Sequence, residues 1–241
     1  IDELSLRTAC KSYINSLKNH YPGASLPLYA SKANSSLAIS AIISSEGFGL
    51  DAVSEGELIT ALNGGVKGEN IVFHGNNKSH DELNFAYKND VTIVLDNHHD
   101  IELLKKIASG KKQARLMLRF TPGIECHTHE YIRTGHLDSK FGFDPDELKS
   151  VLEELKRYEW ANLTGLHAHI GSQIFEVKPH IDLAVVMADT LKLAKEIGHP
   201  IVDLNLGGGL GIKYVKEDDP PSIEEWVEVI SKAIANACKQ R

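Results

Sequence analysis

The stretch Gly49-Leu50-Asp51-Ala52-Val53-Ser54-Glu55-Gly56-Glu57-Leu58-Ile59-Thr60-Ala61-Leu62-Asn63, with Ile71-Val72-Phe73-His74 after it, decides the fold class. Residues 49–53 form a short apolar run broken by one carboxylate. Ser54 then stands where a helix N-cap belongs, with acidic residues in the first turn behind it. Residues 54–63 read as a helix and residues 71–74 as another β-rich run. A strand, a capped helix and a second strand predict a parallel pair joined by a right-handed crossover.

The same alternation extends in both directions. Further strands are expected at 26–30, 92–95, 115–120, 163–170 and 201–206. Helices are expected at 2–20, 36–45, 145–158, 179–197 and 223–237. The helix at 145–158 follows Asp144 as N-cap and carries Leu148, Val151, Leu152 and Leu155 at helical spacing. Seven strand units fit either a doubly wound open sheet or a (β/α)8 barrel. A barrel of eight strands takes roughly 250 residues, so with a leading helix the eighth strand is expected beyond Arg241.

The 241 residues are 42% hydrophobic and 24% charged, as in a soluble α/β domain. No Pro/Gly-rich linker divides them, so residues 1–241 are read as one domain. The net charge of −7 argues against a nucleic-acid partner. No apolar run reaches the length of a membrane span, and the N-terminus lacks a signal-peptide layout. Cys10, Cys126 and Cys238 are too few and too scattered for a disulfide framework or a metal site. A reducing, cytoplasmic location is expected.

In parallel α/β folds the chemistry gathers at the carboxyl ends of the strands. Lys32 sits at the first such end, in Tyr29-Ala30-Ser31-Lys32-Ala33-Asn34. It is either a Schiff-base amine made nucleophilic by its surroundings or a lysine snorkelling to solvent. The second strand ends in Asp51 and Ser54, the third in His74 and Asn76, and the fifth in Arg119. Asp51 and Arg119 either flank a cofactor or pair with each other across the mouth. His167 and His169 lie two apart, hence on one side of a strand. They fit half of a zinc site, a ring stacked on a flat cofactor, or two satisfied core histidines. His127 and His129 could add ligands, but no third ligand stands at a recognised spacing. Gly207-Gly208-Gly209-Leu210-Gly211 follows the seventh strand and suits either an anion-binding nest or a tight turn.

Taken together, six blocks in fixed order resemble a known family. They are Tyr29-Ala-Ser-Lys-Ala-Asn34, Gly49-Leu-Asp-Ala-Val-Ser-Glu-Gly-Glu-Leu58, His74-Gly-Asn-Asn-Lys78, Thr134-Gly-His-Leu-Asp-Ser-Lys-Phe-Gly142, Gly165-Leu-His-Ala-His-Ile-Gly-Ser-Gln173 and Leu204-Asn-Leu-Gly-Gly-Gly-Leu-Gly211. They are similar to the pyridoxal 5′-phosphate (PLP) dependent decarboxylases of the alanine-racemase-like barrel, and within these to the diaminopimelate decarboxylase branch. The resemblance implies a PLP-binding TIM-like (β/α)8 barrel, here without its last strand and without a C-terminal β domain. It implies that Lys32 bonds PLP, that His169 stacks on the pyridine ring, and that Ser172 with Gly207, Gly208 and Gly209 holds the phosphate. Asp51 and Arg119 would line the site, with His74 and Lys140 at its rim.

The implied reaction converts meso-2,6-diaminopimelate to L-lysine in a homodimer. The family's Glu-Pro-Gly-Arg and Cys-Glu-Ser-Gly-Asp blocks are not found in these residues, and Ser31 replaces a more usual aliphatic residue. This chain by itself is therefore expected to be inactive. Related substrates (ornithine, arginine, lysine, carboxynorspermidine), a zinc-dependent barrel hydrolase and a non-catalytic PLP-binding barrel are the competing readings.

Overall fold

The structure is a computed structural model that describes residues 1–108, 110, 112–124 and 140–241. Seven strands form one parallel sheet: β1 (Leu28–Ala30), β2 (Gly49–Ala52), β3 (Ile71–Phe73), β4 (Thr92–Leu95), β5 (Ala114–Arg119), β6 (Ala161–His167) and β7 (Asp203–Asn205). Their spatial order is their order in the chain, and every pair is parallel. A doubly wound sheet reverses direction at a switch point. This one never does, so it curls as a (β/α) barrel wall.

Among the described residues eight α-helices accompany the strands: α1 (Glu3–His20), α2 (Leu37–Ser45), α3 (Glu55–Asn63), α4 (His80–Lys88), α5 (His98–Ala108), α6 (Leu148–Lys156), α7 (Lys178–Ile197) and α8 (Ile223–Lys239). Ser54 caps α3 as expected, accepting from the Glu57 amide. The buried residues of α6 include Leu148, Val151, Leu152 and Leu155, the stripe expected from spacing. Helices α4 and α5 lie outside the expected set. Their signals are present: a Ser79–Glu82 capping box opens α4, and Ile101, Leu104 and Ile107 mark the buried face of α5. The expected strands at 26–30, 163–170 and 201–206 are shorter in the fold. Beyond the paired residues Ala168, Ile170 and Ile201 stay buried as loop, whereas Leu26 and Val202 are exposed.

Register explains where the chemistry stands. Side chains alternate along a strand, and in-register neighbours share a face. Val72, Val94 and Met117 pack together on one face with Leu28 against them. The opposite face carries Ile71, Phe73, Ile93, Leu95, Leu116 and Leu118 into the large core shared with the helices. Two residues beyond Val72, Val94, Met117 and Gly165 stand His74, Asp96, Arg119 and His167. Asp51, in register with Val72, joins the same face. Gly165 leaves room for Met117, since a Cβ there would approach the Met117 Cε to 2.8 Å. One face of the sheet is thus apolar below and ionisable above.

Candidate active site

A cavity of about 1640 Å³ opens at the carboxyl ends of the strands. It exceeds the roughly 300–1,000 Å³ typical of small-molecule sites, so a cofactor and a substrate fit together. Lys32, Asp51, His74, Arg119, His169, Ser172 and the three glycines, all expected at the site, line it, and so does His167.

Lys32 stands in a 3₁₀ turn, Ser31–Ala33, directly after β1. It is exposed to the cavity and not buried. The turn is fixed from below. Ser31 is buried, and its hydroxyl lies within reach of the Asp51 carbonyl at 2.7 Å and of the Glu57 carboxylate. Glu57 also accepts from the Val53 amide at 2.8 Å. A serine at this position, where an aliphatic residue was expected, ties the lysine turn to β2 and α3.

Asp51 and Arg119 do not pair with each other. The Asp51 Oδ1 lies 3.0 Å from His74 Nε2. Arg119 sits 3.5 Å from Asp96 Oδ1 and over the Phe141 ring at 4.4 Å. Both members of the Arg119–Asp96 pair are buried. Burial raises the Asp96 carboxyl against the pull of Arg119 and lowers the Arg119 guanidinium. Asp96 directly follows β4, the one strand whose tip carried no expected site residue. An acidic residue immediately after an apolar run was the available signal.

A second buried pair, Lys78–Asp100 at 2.7 Å, stands beside the first. Asp100 Oδ2 accepts from the Asp96 amide at 2.9 Å. The tips of β3, β4 and β5 are therefore joined by one charged network.

His74, expected at the rim, is buried and packs edge-on against His167 with centroids 4.7 Å apart. His167 Nδ1 donates to the Asn205 carbonyl at 3.1 Å, which fixes its tautomer. Burial first, then the neighbouring His74 and Arg119, holds His167 well below the usual imidazole range. Burial, Arg119 and Lys32 push His169 down to about 3. Both rings are neutral at physiological pH. Lys140 does not line the cavity. It is exposed beside Phe141, its Nζ 5.2 Å from the ring centroid. Cys126, His127, His129 and most of the 134–142 block lie outside the described residues. Cys10 and Cys238 are free thiols.

The glycine run forms a cradle. Gly207 and Gly209 have φ of +68° and +111°, which side-chain-bearing residues rarely adopt. A Cβ on Gly207 would come within 2.6 Å of His169 Nδ1, and one on Gly209 within 2.6 Å of the Gly171 carbonyl. A Cβ on Gly208 would meet nothing within 4 Å. Gly209→Ala is therefore expected to destabilise the protein by about 1–3 kcal/mol through backbone strain. Gly208→Ala should change stability by less than about 0.5 kcal/mol. Urea unfolding of the two ligand-free variants checks the contrast, and equal midpoints would contradict the cradle geometry.

These features fit PLP. An amine for the aldehyde, a neutral flat ring, a serine hydroxyl and a glycine nest for the phosphate line one cavity, together with the cations of Lys32 and Arg119. The fold and this donor set define a barrel that takes a phosphorylated aldehyde cofactor. Residues 6–241 match the family described as pyridoxal-dependent decarboxylase, pyridoxal binding domain, and the chain belongs to that family. The zinc-hydrolase alternative falls with that membership.

Among individual relatives, the chain is 49% identical over 250 residues to the diaminopimelate decarboxylase of Synechocystis sp., covering all of this chain and 53% of that protein. It is 42% identical over 212 residues to the Bacillus subtilis diaminopimelate decarboxylase, covering 86% of this chain and 48% of that protein. The crystal structure of Helicobacter pylori diaminopimelate decarboxylase complexed with L-lysine superposes with a TM-score of 0.91 at 30% identity. That match covers 97% of this chain and 59% of the other. The chain thus spans about half the length of the curated relatives it matches.

Proposed function

We propose that residues 1–241 are the cofactor-carrying barrel of an enzyme that decarboxylates meso-2,6-diaminopimelate to L-lysine, with PLP bonded to Lys32. One observation carries this reading: Lys32, His169 and the Gly207–Gly209 cradle line a single cavity at the strand tips. The names of the relatives and the lysine bound to the Helicobacter pylori enzyme support the substrate.

PLP, when bound, supplies an electrophilic aldehyde and a ring that accepts the electron pair released with carbon dioxide. The remaining work belongs to the chain. The Lys32 amine would hold the aldehyde end of the cofactor. Ser172 and the amides of the glycine cradle anchor the phosphate. His169 offers a neutral, flat surface for the ring and adds no positive charge against it. Asp51, hydrogen-bonded to His74, and Arg119, held by Asp96, keep one anion and one cation in fixed places at the cavity wall.

The same reading makes the full-length protein a cytoplasmic homodimer, tested by fractionation and sizing, and leaves residues 1–241 inactive alone. The central test is an absorbance scan with and without PLP, then borohydride reduction and mapping of the labelled lysine. Label on Lys32 is expected, and label elsewhere or none overturns the proposal. Assay of the full-length enzyme with diaminopimelate, ornithine, arginine, lysine and carboxynorspermidine should show turnover with the first alone.

A further inference from the structure

We propose that Gln173 is a positioning residue for the phosphate end of this site, an inference that rests on the PLP reading above. Gln173 has φ of +58°, one of only two non-glycine residues with positive φ among those described. Such a conformation persists only where the surroundings impose it. Here the imposing contact is a two-point clasp. The Gln173 Nε2 donates to the Ile212 carbonyl at 2.6 Å, and its Oε1 accepts from the Ile212 amide at 3.0 Å. Only one orientation of the amide satisfies both bonds.

The clasp closes a seam between the two loops that face the phosphate. The Ile174 amide donates to the Gly209 carbonyl at 2.8 Å, and the Gly211 amide to the Ile174 carbonyl at 3.0 Å. Ile174 and Leu210 form an isolated parallel bridge between them. Ser172 precedes Gln173, so the hydroxyl and the glycine cradle are held by the same seam. The cradle is also pinned where it begins, since the Gly207 amide donates to Asn205 Oδ1 at 2.9 Å. Between the pins lie glycines that would otherwise sample many conformations and lose that freedom on binding an anion. Fixing both ends removes that cost in advance. Gln173 therefore acts on the phosphate and not on the aldehyde or the ring.

The test compares PLP with pyridoxal, which lacks the phosphate, in the full-length protein. Gln173→Gly removes the clasp and suits the positive φ. Gln173→Glu keeps the size but replaces the donor facing the Ile212 carbonyl. Each variant is expected to bind PLP about tenfold more weakly, in line with losing two hydrogen bonds, while pyridoxal affinity stays unchanged. Should Gln173→Glu fail to fold, Gln173→Gly decides the matter. An unchanged preference for PLP over pyridoxal, or equal weakening of both, overturns the role of Gln173. Loss of borohydride labelling at Lys32 in the unaltered protein would instead overturn the site itself, so the two failures are distinct.

Discussion

Lys32→Ala is expected to abolish borohydride-trappable PLP while leaving the fold intact, and to cut decarboxylation by the full-length enzyme about 10³-fold or more. The fold should survive because Lys32 is exposed to the cavity. The turn beneath it is held by Ser31, Glu57 and the Asp51 carbonyl, none of which the substitution touches. The phosphate cradle is built on β7 and the loop after β6, so reversible binding of PLP should persist. Reduction followed by peptide mapping, alongside a PLP titration, measures both effects. Full turnover by the variant, or label retained on another lysine, would remove Lys32 from the chemistry. Parallel loss of folding would show that the lysine is part of the scaffold.

Acid should destabilise the ligand-free protein by roughly 4 kcal/mol between pH 7.5 and pH 5.0 through His169 and His180, with His167 acting in the same direction. Burial holds His167 well below the usual imidazole range, His169 at about 3 and His180 at about 4. In the unfolded chain each returns to near 6.5. Below that value the unfolded state takes up protons that the folded state refuses, so stability is full above pH 6.5 and falls as the pH drops toward the folded values. For His169 and His180 the loss is about 1.4 kcal/mol per group per pH unit, or about 2 kcal/mol per group at pH 5.0.

His199 shifts in the same direction, whereas the raised Asp96 carboxyl opposes the trend. His180 offers the cleanest test, because its Nε2 is buried without a hydrogen-bond partner among the described residues and its ring packs edge-on against Trp226 at 5.3 Å. His180→Phe keeps a flat ring there and should reduce the acid loss by about 2 kcal/mol. Urea midpoints at the two pH values would measure it, and an identical pH dependence in this variant would refute the assignment.

Much of this was legible in the amino acids alone. The seven strands fall where short β-rich runs alternate with capped helical stretches, because both signals are local. Lys32, His169, Ser172 and Gly207–Gly209 stand in short blocks, and the rule that chemistry sits at carboxyl strand ends brings them to one mouth. Asp96 was missed because one aspartate after an apolar run is unremarkable until register sets it opposite Arg119. The partners of Asp51 and Arg119 were open for the same reason: strands twenty or more residues apart must pair before either charge has a neighbour.

The order of residues by itself determined the β/α alternation, the helix caps and the chemical groups available at each strand tip, since these depend on contacts within a few positions. Tertiary structure alone decided that the sheet runs in sequential order, that His74 and Asp96 claim the two charges, and that Gln173 reaches Ile212. Those outcomes follow from hydrogen-bond register and packing between distant segments, and no local pattern encodes them.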